Sequence, residues 1–365
     1  MKQDWEIRKL NEVSTFIMGQ APHSKTYNND GNGELFIRVG DFGDKYPSSN
    51  TYTTNPLVYG KEGDIFLCIV GATCGKVNYG IDGVITRSIA AIRPNEELDQ
   101  DFLFYYFLGQ YELYNKSSEG AAQPILNKTI LSSFDFSLPP LDEQKRIVAK
   151  LDECFEAIDK ARANVEKNLQ NAKELFQSQL NQIFSQKGDG WEDKKLGECI
   201  KLKSGDGLTA KKMNQDGHYP VYGGNGIAGN HDKYNLEGSQ VIIGRVGALC
   251  GNVRYVDDKI WLTDNAFKVS KFFYDFDKSF LTYLLNYKNL RNYARQSAQP
   301  VISNSSTKDV LLQFPESIEL QKSIVNQLDE LKSQTQSLES NYQQELDALD
   351  ELKKSILQKA FNGEL

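Results

Sequence analysis

From Glu143 to Phe184 the chain carries neither glycine nor proline, and its apolar side chains recur in steps of three, four or seven. Leu151, Phe155, Ile158, Val165, Leu169, Ala172, Phe176 and Ile183 form the stripe, with Arg162 and Gln179 interrupting it. A period near 3.5 predicts a long helix with a coiled-coil seam. From Leu320 to Phe361 a second segment does the same through Leu328, Leu331, Leu338, Tyr342, Leu346, Leu349, Leu352 and Ile356. About forty residues at 1.5 Å each make a helix of roughly 60 Å. One small domain cannot cover such a stripe, so the two helices are expected to pack on each other.

The stretches before each long helix differ in texture. ELFIRV, DIFLCIV, SQVIIGRV and KIWLTDNAFKV are short apolar runs bounded by turn residues, which predict strands. DFLFYYFLGQYELY and KSFLTYLLNYKNLRNYA predict buried helices, and SSEGAAQP and RQSAQP predict loops. The expected organisation is a globular region over 1–140, a long helix over 141–187, a second globular region over 188–315 and a second long helix over 316–365. GDG at 188–190 ends the first helix and restarts the globular pattern.

The two halves are copies. WEIRKLNEV at Trp5 returns as WEDKKLGEC at Trp191, and VGATCGKVNY at Val70 as VGALCGNVRY at Val246. LDEQKRIVAKLDE (141–153) returns as IELQKSIVNQLDE (318–330), and KELFQSQLNQIF (173–184) as DELKKSILQKAF (350–361). The order is the same in both halves, so an internal two-fold duplication follows. Copies related by a two-fold axis would run their long helices antiparallel, with one globular region at each end of a rod.

Charge adds an asymmetry. The net charge is −7, yet residues 1–140 carry −5 and residues 188–315 carry +3. A nucleic-acid partner would therefore have to be held by local patches or with help from other subunits. Five scattered cysteines without a C-x-x-C pair read as free thiols of a reducing cytoplasm. No apolar run reaches the length of a membrane span. The N-terminal MKQDWEIRKL lacks the apolar core of a signal peptide.

Catalytic patterns fail one after another. GATCGKVNYG (71–80) has glycines and a lysine, but Gly71 and Gly75 have three residues between them and Val77 follows Lys76. A phosphate-binding P-loop needs four intervening residues and a Ser or Thr there. The second copy has Asn252 in place of the lysine, which leaves a tight turn between strands as the better reading. GNG (31–33) and GGNG (223–226) do not extend into a dinucleotide fingerprint. The E-x-K triplets fall in the long helices and read as solvated faces. His23, His218 and His231 are not spaced as metal ligands. No catalytic residue and no metal site are nominated.

PLDEQKRIVAKLDE opening a long helix, its echo IELQKSIVNQLDE, the terminal SILQKAFNGEL, the paired GDIFLCIVGATCGKV and GSQVIIGRVGALCGNV, and YPVYGGNGIAG (219–229) together resemble the specificity subunit of type I restriction–modification systems. The resemblance spans the chain. It implies an α+β fold with two mixed α/β target recognition domains, two long antiparallel coiled-coil helices and an internal pseudo-two-fold repeat. It also implies a non-catalytic subunit whose recognition domains each read half of a bipartite double-stranded DNA sequence. The helices would set the spacer and dock two methyltransferase subunits carrying S-adenosylmethionine. Restriction subunits with ATP and Mg2+ would complete the nuclease, and this chain would bind no cofactor itself.

Base and phosphate contacts favour Arg, Lys, Asn, Gln, Ser and Thr on exposed loops. In the first region the nominees are Ser24, Lys25, Tyr27, Arg38, Lys76, Arg87, Ser88 and Gln123. In the second they are Lys203, Lys211, Lys212, Tyr222, Asn225, Arg245, Arg254, Asn265 and Gln299. Each has a bland alternative as a turn or surface residue, and Tyr27 and Tyr222 could equally be packing groups. A coiled-coil scaffold with two protein-binding heads is the competing function.

Overall fold

The computed structural model describes residues 5–116, 125–186, 188–295 and 299–365. The fold is mixed α/β and falls into two compact units, one formed by 1–165 with 344–365 and the other by 166–343. Each therefore contains one globular repeat and a portion of each long helix.

In the first unit a four-stranded antiparallel sheet runs in the order Ser14–Met18, Ile89–Pro94, Ile65–Cys68, Val77–Tyr79. One face packs under the helix Gln100–Lys116, where Leu67, Val77, Phe102, Phe104 and Phe107 share a core with Leu151, Phe155 and Leu357 of the long helices. The other face, with Phe66 and Ala91, is covered by a second sheet contributing Ile37 and Ile85 and by Phe42 from the turn that follows Ile37. A two-stranded ladder, Glu6–Lys9 with Asp135–Leu138, closes the repeat and leads into the long helix.

The second unit repeats the plan. Its four-stranded sheet is ordered Ile200–Ser204, Ala266–Phe272, Gln240–Gly244, Val253–Val256, and Trp191–Lys195 pairs with Leu311–Pro315. The second sheet has three strands here against five in the first unit. The segment KSFLTYLLNYKNLRNYA is not one helix. It splits into Lys278–Tyr287 and a 3-10 turn, Leu290–Tyr293, because Asn289 takes a left-handed φ of 46°.

The long helices span Leu141–Ser185 and Ile318–Phe361. Pro139–Pro140 and acidic first-turn residues start the first, with Pro140 accepting from the Glu143 and Gln144 amides. Asn362–Gly363 ends the second, with Gly363 at a φ of 72°. Within the first unit Arg146 donates to the Leu365 carbonyl, Asp159 pairs with Lys353 at 3.1 Å, and Arg162 pairs with Asp350. Rising numbers on one helix meet falling numbers on the other, so they pack antiparallel. The seam corrects two assignments, since Leu338 and Leu352 are exposed while Thr335 is buried. Thr335 satisfies its hydroxyl on the Lys332 carbonyl at 3.0 Å, which allows a polar residue on the buried line.

One side chain explains the motif that opens both helices. Gln144 is fully buried, donates to the carbonyls of Glu97 and Pro139, and accepts from the Asp99 amide at 2.7 Å. Gln321, equally buried, donates to Asp275 and Pro315 and accepts from the Asp277 amide at 2.8 Å. Each glutamine ties the long helix to the strand before it and to the start of the globular region's own helix. A second tie is also duplicated, with Tyr105 donating to Asp152 and Tyr283 to Asp329. No helix among the described residues is long and apolar enough to cross a membrane.

Candidate nucleic-acid interface

The glycine loops are the same object twice. The Gly75 amide donates to the Cys68 carbonyl at 2.8 Å, and the Gly251 amide to the Gly244 carbonyl at 2.7 Å. Cys74 bonds back to Gly71 and Cys250 to Gly247, and both leading glycines have positive φ, 87° and 104°. The amides of Cys74, Gly75 and Lys76 are thus spent on backbone carbonyls, as are those of Cys250, Gly251 and Asn252. Lys76 is half-buried and donates Nζ to the Phe42 carbonyl at 3.0 Å, so it braces the loop from behind. Burial pushes the Cys74 thiol up to about 11, with nearby Cys68 adding to the shift, so this cysteine is a packing group.

Four segments converge beside each loop. In the first repeat, parallel pairing of Phe36 with Val84 and Ile37 with Ile85 brings Arg38 and Arg87 to the same sheet end. The Thr86 amide bonds the Ile37 carbonyl, the Gln20 amide the Ile85 carbonyl, and the Ile69 amide the Ser88 carbonyl. In the second repeat Val221 pairs with Trp261 and Tyr222 with Leu262, also in parallel. There the Thr263 amide bonds the Tyr222 carbonyl, the Asp206 amide the Leu262 carbonyl, and the Arg245 amide the Asn265 carbonyl. The close approach is enforced at Gly224, where a Cβ would lie 1.8 Å from the Val246 carbonyl oxygen.

The residues carried on this shared frame differ. The first repeat presents Arg38, exposed but leaning on Thr51 and Asp41, together with exposed Arg87 and half-buried Ser88. The corresponding places in the second hold Gly223, Asp264 and Asn265. Asn225, beside them, is exposed and accepts from the Leu249 amide at 2.9 Å. Ser24 and Lys25 lie exposed on a 3-10 turn, and Lys211 and Lys212 on the corresponding turn Ala210–Lys212.

Other nominees lie elsewhere. Tyr27 stacks on Phe36 at 4.7 Å and donates to the Pro22 carbonyl, and Tyr222 packs on the cluster around Leu236, so both serve packing. Arg245 is half-buried over the Phe267 ring, with Nη1 3.3 Å from the Asp264 carbonyl. Lys203 and Arg254 belong to the four-stranded sheet. Gln299 is exposed next to Pro300, whose carbonyl accepts from Gly247, while Gln123 lies outside the described residues. Sequence reasoning passed over Ile227 and Leu249, 64% and 43% exposed near Asn225, because apolar side chains in a glycine-rich loop carry no polar signal. No group of three or more potential metal ligands occurs among the described residues.

A family model described as the type I restriction modification DNA specificity domain matches residues 2–167 and, separately, residues 188–348. The chain belongs to this family. One domain type matched twice is the duplication seen in the fold. Among specificity subunits, the chain is 30% identical over 254 residues to that of the EcoprrI type I restriction enzyme of Escherichia coli, covering 66% of this chain and 63% of the relative. It is 35% identical over 173 residues to the putative MjaX specificity subunit of Methanocaldococcus jannaschii, covering 45% of this chain and 40% of the relative. The matched part thus spans less than two thirds of either relative. The fold is similar to a chain from a type I R-M system, solved to describe its complex assembly and conformational transition. That match has a TM-score of 0.82 at 20% identity, covering 100% of this chain and 99% of the other. It is also similar to the HsdS subunit of Thermoanaerobacter tengcongensis, with a TM-score of 0.65 at 20% identity over 100% and 98% of the two chains.

Proposed function

We propose that this specificity-family chain reads a bipartite double-stranded DNA target, one half-site per repeat, and leaves the chemistry to partner subunits. The observation that carries this reading is the pair of converging loop sets, held by matching backbone hydrogen bonds but furnished with different side chains. A shared frame with unlike contacts suits two unrelated half-sites. The duplicated long helices would set the spacer between half-sites and dock two methyltransferase subunits. S-adenosylmethionine would belong to those subunits, and ATP with Mg2+ to restriction subunits where present. The whole would operate in the cytoplasm.

The test is methylome sequencing of cells with and without the chain. One bipartite adenine motif should disappear on deletion. An unchanged methylome in cells that contain the cognate methyltransferase would favour a protein-binding scaffold instead.

A further inference from the structure

The two copies of the central sheet treat one face differently. In the second repeat Ile242, Ala266 and Val256 still pack with Ile260 and Leu262 of the neighbouring segment, but the rest of the face is cationic. In the first repeat a cross-strand row runs through Ile17, Ala91, Phe66 and Asn78. Phe66, Ala91 and Ile17 pack under the second sheet, and buried Asn78 is bonded to Gly43. The same row in the second repeat runs through Lys203, Lys268, Ile242 and Arg254. Next along the sheet, Lys201 is directly opposite Lys271. Lys201 and Lys203 are two apart on one strand and share a face, residues opposite one another share it too, and the bulge at Ser270 keeps Lys271 opposite Lys201, so these five cations lie on one side of the sheet. Lys201, Lys203 and Lys271 are exposed and Lys268 and Arg254 half-buried.

Compensating acids are missing from this face. In the first repeat the adjacent Arg93 is met by fully buried Asp64 at 2.7 Å. The second copy has Gln240 at the place of Asp64, and Gln240 turns its amide to the Glu237 carbonyl. The ion pairs found among described basic residues of this repeat involve Lys194, Lys195 and Lys259, and none involves the five cations. Opposed like charges destabilise a sheet, so two directly opposed Lys–Lys pairs, one on each side of a bulge, are costly unless an anion completes them.

We infer that this cationic sheet face grips the phosphate backbone, giving the second repeat a sequence-independent attraction that the same face of the first repeat lacks. The inference rests on the DNA-reading proposal above. It accounts for the charge asymmetry, +3 over residues 188–315 against −5 over residues 1–140. Backbone contacts fix orientation without reading bases, so the face would position the second repeat while its loops read sequence.

The experiment uses the full chain assembled with its methyltransferase subunits, wild type against K201Q/K203Q/K268Q. Binding is measured across a salt series to a duplex carrying the methylated motif and to an unrelated duplex. Each lost phosphate contact should flatten the log K against log salt slope by roughly 0.9, to about 3 for the triple variant. Affinity for both duplexes should fall by the same factor, and the methylated motif should stay the same. The thermal midpoint should hold or rise, because opposed charges have been removed, and this guards against a misfolded variant. An unchanged slope in a folded variant overturns the inference. So does a changed motif, which would make these residues base readers, or weakened subunit assembly with unchanged DNA binding, which would point to an acidic protein surface. If the wild-type complex shows no preference for the motif duplex, it is the DNA-reading proposal that fails.

Discussion

Gln144 and Gln321 show how much one buried polar side chain can organise. Each occupies a site where three backbone groups would otherwise lack partners. Truncation leaves those groups without their partner, at a cost of about 1–3 kcal/mol for even one that stays buried and unpaired. Gln144→Ala should lower stability by at least that amount in denaturant unfolding. Glu143→Ala, next door but paired with Arg146 near the surface, should cost under about 1 kcal/mol. Equal effects would mean that the clamp has no special weight. In sequence, Gln144 was visible only as one letter of a motif, because a glutamine on a charged helix looks solvated. Its burial follows from the strand and loop that fold over it. Lys76 is the opposite case, a residue that invited a phosphate reading and turned out to brace a turn.

At the scale of elements, the long helices were legible because their period is strong and uninterrupted over more than forty residues. The exact seam was less so. Leu338 reads as a seam residue by hydrophobicity, yet the buried line passes through Thr335, since a heptad phase is set by partner packing as well as by side-chain apolarity. The apolar runs located one strand or more in each kind of sheet, Ile65–Cys68, Gln240–Gly244 and Ala266–Phe272 in the central sheets and Glu34–Ile37 and Trp261–Leu262 in the second sheets. Most other strands of the second sheets carry no such run, because some are as short as two residues and depend on contacts distant in sequence. For the same reason the converging loops could be nominated residue by residue but not assembled. Under the proposed function the helices govern spacing and docking, and take no part in reading the half-sites. Inserting whole heptads in 150–180, with matching heptads in the second helix, should change the spacer of the methylated motif and leave both half-sites intact. The motif read by methylome sequencing checks this, and altered half-site bases would break the proposed division of labour.

At the scale of the whole molecule, duplication is the organising fact. It made the first loop interpretable, because GATCGKVNYG and GALCGNVRYV share backbone bonds while Lys76 and Asn252 do not share chemistry. It also exposes divergence. The face covered by apolar packing in one copy is only partly so covered in the other, where it also carries five cations, and the end of the parallel pair that presents Arg38 and Arg87 in one presents Gly223 and Asp264 in the other. Two copies that differ in this way should be separable in function. The most direct test replaces residues 1–140 with the corresponding region of another family member and sequences the methylome of cells carrying the hybrid. The account predicts a motif with one new half-site, the other half-site and the spacer unchanged. A hybrid that assembles with its methyltransferase yet alters both half-sites, or neither, would contradict it.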